Sequence, residues 1–254
     1  MLDTRALAIA ICRIRALGAI AAIVLAGLSL PGAARGCDLA LVLAVDVSVS
    51  VDAREYGLQM AGIARALRDP EVVAAIEAAG PGGIAVTVVQ WSSFPYHAQT
   101  VGWTRVAASA AVAALASEIE RSPRQFSRFG TGIGNALAFS SKVFGTNAVI
   151  CRRRVIDVSG DGRNNELISP SDVRTRLVAS GIVINGLAVL DGDAGLADYY
   201  RREVAGGSGS FVIEAQVFED FAEAMKIKLL REIQPALSRR DDSGVLLAHN
   251  EPSE

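Results

Sequence analysis

Asp46, Ser48 and Ser50 fall at every second residue at the end of the apolar run LALVLAVDVSVS, Leu39 to Ser50. Three short oxygen-bearing side chains in one turn suit a hard divalent cation, which prefers carboxylate, hydroxyl and water oxygens to nitrogen or sulfur. Two further donors stand at comparable points. Thr131 lies in Gly130-Thr131-Gly132, just ahead of a helical stretch, and Asp161 lies in Gly160-Asp161-Gly162, just after an apolar one. Two carboxylates and three hydroxyls can furnish most of a six-ligand shell for Mg²⁺, with Ca²⁺ or Mn²⁺ as alternatives. They balance the cation's charge and leave a position for an acidic side chain from outside.

Positioning these residues requires strands that stop where the donors begin. Seven apolar residues precede Asp46 without a break, the pattern of a strand buried on both faces in a parallel sheet. From Asp52 to Arg68 the apolar period changes to three and four, with Asp52 and Glu55 placed as a capping pair. Ile84 to Trp91 reads as a second strand, and His97 to Val101 as a short edge strand hairpinned against it. Val106 to Glu120 reads as a helix, and so does the stretch from Thr131 to about Phe144. Val155 to Ser159 and Ile182 to Val189 are strands. Between them Ser169 and Pro170 open a helix as N-cap and first residue. Ala194 to Val204 is helical, with Tyr199-Tyr200 and Arg201-Arg202 as its closing turn. Ser210 to Ile213 is a short strand, and Phe218 to Ile233 an amphipathic helix. The alternation predicts an α/β fold: a doubly wound, mostly parallel sheet with helices on both faces and one short antiparallel edge strand. In such sheets ligands sit at the carboxyl ends of the strands, where the strand order reverses.

The chain has 254 residues, is 51% hydrophobic and 20% charged, and carries a formal net charge of −2. Its arginines form short clusters rather than a stripe, which argues against nucleic acid as a partner. Gly130, Gly132 and Gly134 do not make a dinucleotide fingerprint, since the spacing is wrong and no strand directly precedes them. The chain contains His97 and His249 and lacks G-x-S-x-G, H-E-x-x-H and Walker A motifs, which points away from an enzyme. Residues 1–34 have the outline of a secretory signal peptide: early arginines, an uncharged run, then Pro31-Gly32-Ala33-Ala34. An uncleaved membrane anchor is the alternative, and a lipoprotein signal at Cys37 is disfavoured by Arg35. Export would place the protein in the periplasm or outside the cell. It would leave Cys37 and Cys151, whose even number is compatible with a disulfide or with two buried thiols. Residues 35–237 then form one domain, and 238–254 a polar tail.

Asp46-x-Ser48-x-Ser50, Thr131 in its Gly-Thr-Gly loop and Asp161 in Gly160-Asp161-Gly162 together resemble the metal-ion-dependent adhesion site of von Willebrand factor type A domains. More narrowly, Val88 to Trp91, Arg154 to Gly162 with Asn164-Asn165, and Ile184 to Leu187 are similar to a family of exported bacterial proteins with this domain and no assigned activity. The resemblance implies that the first strand neighbours the one leading to Asp161. Cys37 and Cys151 would then sit at the amino ends of adjacent strands and form a disulfide. It also implies recognition of another protein through an acidic side chain on the metal. A metal-dependent hydrolase, or a purely structural metal site, are the competing readings. Asp157 interrupts an apolar strand on the same face as Ser159 and Asp161. It reads either as support for the metal loops or as a structural carboxylate paired elsewhere. Asn164 and Asn165 read as the rim of the ligand-binding face or as turn formers.

Overall fold

The computed structural model describes residues 36–148 and 150–234. The signal-peptide reading and the polar-tail reading concern residues outside these. The elements are β1 (Cys37–Asp46), α1 (Ala53–Arg68), α2 (Pro70–Ala78), β2 (Ile84–Trp91), β3 (His97–Val106) and α3 (Ser109–Glu120). They continue through α4 (Ile133–Val143), β4 (Cys151–Gly160), α5 (Pro170–Ala179), β5 (Ile182–Val189), α6 (Leu196–Tyr199), β6 (Val212–Ala215) and α7 (Phe221–Ile233). Among the described residues no helix is long and apolar enough to cross a membrane.

The six strands lie in the order β3-β2-β1-β4-β5-β6. All pairings are parallel except β2 with β3. Every residue of β1 is buried, because neighbouring strands cover both its edges and helices cover both its faces. Leu39, Leu41, Leu43 and Val45 meet residues of α1, α2, α3 and α7 on one side. Val42 and Ala44 join residues of α4, α5 and α6 on the other. The chain moves outward from β1 through β2 to β3, then returns to place β4 on the opposite flank. The β1–β4 boundary is therefore the switch point where strand order reverses.

Two expectations need correction. The antiparallel edge strand is not short: β3 runs ten residues and pairs with β2 as far as Val106, with irregular register near Val86 to Val89. The expected strand ended at Val101, yet pairing continues past it, and Trp103 anchors the far half by donating from its ring nitrogen to the Val143 carbonyl at 3.0 Å. Nor does one regular helix span 194–204. Four α-helical residues give way at Tyr200 to a wider π-helical turn, closed by the Ala205 amide donating to the Tyr200 carbonyl at 2.8 Å.

Helix starts follow the local chemistry. The Asp52 carboxylate accepts from the Glu55 amide at 2.8 Å, and Glu55 accepts from the Asp52 amide at 2.7 Å, a closed capping box that begins α1 immediately after the first loop. Ser169 caps α5 with Pro170 behind it. At the amino edge of the sheet Cys37 and Cys151 are directly paired in register and joined by a disulfide, with Cα atoms 4.4 Å apart.

Candidate metal centre

β1 ends at Asp46, which is completely buried. The Ser48 amide donates to Asp46 Oδ1 at 2.7 Å, bending the chain so that Ser48 and Ser50 fold back over the strand end. Their hydroxyl oxygens lie 3.1 Å apart. Arg124 holds this loop from behind. Its Nη2 donates to the carbonyls of Val47, Ser48 and Val51 at 3.1, 2.9 and 2.6 Å. Gln59 of α1 donates to the Asp46 carbonyl at 3.1 Å.

The second loop, residues 130–132, precedes α4. Ser92, just after β2, donates through its hydroxyl to the Gly130 carbonyl at 2.9 Å. The Thr131 amide donates to Asn165 Oδ1 at 2.8 Å, and the Asn165 amide returns a bond to the Thr131 carbonyl at 2.9 Å. Asn164 accepts from the Gly134 amide at 3.3 Å and donates to the Glu166 carbonyl at 2.7 Å. The two asparagines thus clamp the threonine loop onto the chain that follows β4. The third loop carries Asp161, whose Oδ1 accepts from the Ser50 hydroxyl at 2.8 Å.

The structure therefore brings all five of Asp46, Ser48, Ser50, Thr131 and Asp161 to one place. Four of their oxygens form a connected row: Thr131 Oγ1 to Ser48 Oγ at 3.4 Å, Ser48 Oγ to Ser50 Oγ at 3.1 Å, and Ser50 Oγ to Asp161 Oδ1 at 2.8 Å. An octahedral shell with ligands about 2.1 Å from Mg²⁺ has neighbouring oxygens about 3 Å apart. The row matches that spacing. Asp46 Oδ2 is buried with no hydrogen-bond partner. Burial first, then the nearby Asp161 carboxylate, push the Asp46 carboxyl up to about 8. Asp161 is also raised, chiefly by burial. Two adjacent carboxylates with this desolvation cost are relieved by a divalent cation. Among the described residues no three His, Cys, Asp or Glu side chains converge. The donor set here is instead hydroxyl-rich with two carboxylates, and it fits a hard cation.

Asp157 faces away from these loops. Lys228 of α7 reaches its Oδ1 at 2.8 Å and Glu232 Oε1 at 2.8 Å, with Lys228 fully buried. Asn185 of β5 donates to Glu232 at 2.9 Å. One ammonium between two carboxylates leaves an excess negative charge in the core. Burial is the main reason the Asp157 carboxyl is pushed up to about 7, with Lys228 opposing it and Glu232 adding to it.

Two residues at the centre escaped sequence reasoning. Arg124 sits in an irregular polar stretch that has no period to read. Tyr200, assigned to a helix end, is fully buried, and its hydroxyl has no partner. Burial holds that phenol well above its ordinary range, with Asp46 and Asp161 adding to the effect, so it stands as a neutral O–H donor.

The family described as "Protein of unknown function (DUF1194)" matches residues 36–237. The chain belongs to that family. No curated protein matches it. Among solved structures it is similar to proximal thread matrix protein 1 from the mussel byssus, at 20% identity and a TM-score of 0.57, over 78% of this chain and 47% of that one. A further structure of that mussel protein has a zinc-occupied MIDAS motif; it aligns at 19% identity and a TM-score of 0.52, over 76% of this chain and 46% of that one. The von Willebrand factor domain of the type V pili tip protein Mfa5 from Porphyromonas gingivalis aligns at 11% identity and a TM-score of 0.54, over 85% of this chain and 99% of that one. This DUF1194 chain thus has a von Willebrand factor type A-like fold, and it spans about half the length of the mussel protein it matches.

Proposed function

We propose that the chain binds a divalent cation, Mg²⁺ by preference, through Asp46, Ser48, Ser50, Thr131 and Asp161, and uses it to recognise an acidic side chain of another protein. The observation that carries this reading is the row of four oxygens from three loops, with spacings of 2.8 to 3.4 Å. When bound, the cation would supply an electrophilic position for a carboxylate. The chain's own residues supply the rest. Arg124 and Gln59 fix the first loop, while Asn164 and Asn165 fix the second against the third.

The surroundings support a protein partner. Val49 in the first loop, Phe94 after β2 and Leu167 beyond the third loop are large apolar side chains left exposed. All three lie in segments bonded to, or continuous with, the metal loops, where a partner reaching the cation would meet them. Binding is favoured over hydrolysis. The described histidine, His97, stacks on Phe139, and strand register places it two strands across the sheet from Asp46. The disulfide supports residence in an oxidising compartment, in keeping with export to the periplasm or beyond.

Titration calorimetry of the full chain with Mg²⁺ tests the metal; binding is expected for the wild type and none for Asp46→Ala. Affinity capture from the exported fraction, with and without chelator, tests its use. Partner lists that do not change with chelator or with Asp46→Ala would reject the metal bridge.

A further inference from the structure

Tyr200 is a large, fully buried side chain whose hydroxyl has no partner. A lone buried phenol is costly unless something nearby uses it. Its surroundings are built to admit it. A β-carbon at Gly186 on β5 would come within 2.8 Å of its ring atom Cδ1. One at Gly160, the last residue of β4, would come within 2.8 Å of its hydroxyl and within 2.7 Å of Asp46 Oδ2. Two glycines on adjacent strands therefore form a slot for this ring, and the slot ends at the Asp46 carboxylate. The π-helical turn that begins at Tyr200 sets the residue's place above the slot; such widened turns recur at functional sites.

At the slot's end a hydroxyl donor and a carboxylate oxygen, both buried and both otherwise unpartnered, occupy the space beside one missing β-carbon. A rotation of either group, or one bridging water, would join them. Asp46 Oδ1 is already held by the Ser48 amide. A bond to Oδ2 would hold the other oxygen and fix the plane of the whole carboxylate.

We infer that Tyr200 is a positioning residue for the metal centre, its hydroxyl orienting Asp46 from the side opposite Ser48. This rests on the proposed metal reading. Removing an outer partner of a metal-ligating group commonly costs 10- to 100-fold in affinity.

Calorimetric titration of wild type and Tyr200→Phe with MgCl₂, alongside thermal unfolding in chelator, tests it. The inference expects about a 10-fold or greater loss of Mg²⁺ affinity in Tyr200→Phe. It also expects no collapse of the metal-free unfolding temperature, since the variant keeps the ring in its slot and loses a single hydroxyl. Wild type that binds Mg²⁺ and a variant that binds it equally well would overturn the role of Tyr200 while leaving the metal centre standing. A variant that loses affinity only in step with a collapse of metal-free stability would overturn it too, by making the effect one of packing. Wild type that binds no Mg²⁺ would overturn the metal reading and this inference together.

Discussion

Asp157 and Asp46 show how two buried aspartates on neighbouring strands reach different ends. Asp157 meets Lys228 and Glu232 of α7, with Asn185 alongside. Its carboxyl is raised from 3.8 to about 7 by burial, so the fold favours its protonated form. A group raised in this way adds stability that is complete below its unfolded value and lost as pH rises through the folded one. Wild-type stability relative to Asp157→Asn should therefore be greatest below about pH 4 and should decline up to about pH 7; chemical denaturation at several pH values measures this, and a pH-independent difference would contradict it. Among the described residues no lysine pairs with Asp46, and Arg124 only weakly opposes the shift. Its raised carboxyl is explained by burial and by Asp161, the setting a cation would relieve. The sequence placed Asp46 at the end of an apolar strand, among the candidate metal ligands, and left Asp157, inside one, open between support for the metal loops and a structural pairing. It could not decide for Asp157, because the deciding partner, Lys228, lies far away in the chain on a helix read only as amphipathic.

Among the elements, β1, β2 and β5 were legible because continuous apolar runs bounded by polar turns have few other readings. β3 was cut short, and β4 was begun at Val155, because an edge and an arginine-rich start dilute the pattern: β3 is only partly buried and contains Gly102, while Arg152, Arg153 and Arg154 open β4. The candidate donor loops were picked out by residue type and by position, after a strand or ahead of a helix. The groups that hold them were not, since a single Arg or Tyr carries no spacing. Arg124 gives a direct check at this scale. Its guanidinium bridges three carbonyls of the first loop, so Arg124→Ala frees the loop while leaving the strands paired. Mg²⁺ affinity is expected to fall about 10-fold or more, with a far smaller effect on far-UV circular dichroism; unchanged affinity would show that the loop holds itself.

For the whole molecule, strand order decides where the site can be. β1 and β4 are adjacent only because the chain reverses direction across the sheet after β3, and the donors at their carboxyl ends come together for that reason. The same adjacency pairs Cys37 with Cys151 at the other end, across a sequence separation of 114 residues. Closing so long a loop restricts the unfolded chain, and loss of such a bond typically costs about 2–5 kcal/mol. Urea unfolding with and without reductant should register a loss of that size, and equal midpoints would exclude a stabilising role.

That cross-link also decides how the molecule would bear tension. On the proposed reading, a partner held at Ser48, Ser50 and Asp161 would pull on the carboxyl ends of β1 and β4. If the opposing anchor lies on the residues before Cys37, the load travels the length of β1, which is hydrogen-bonded to a parallel strand on each side. The share of load that enters at Asp161 on β4 crosses to β1 through the bonds between these two parallel strands, which are then sheared and must yield together rather than one by one. At the far end the disulfide passes part of the force to β4, so a covalent bond, as well as the sheet, closes the path between grip and tether.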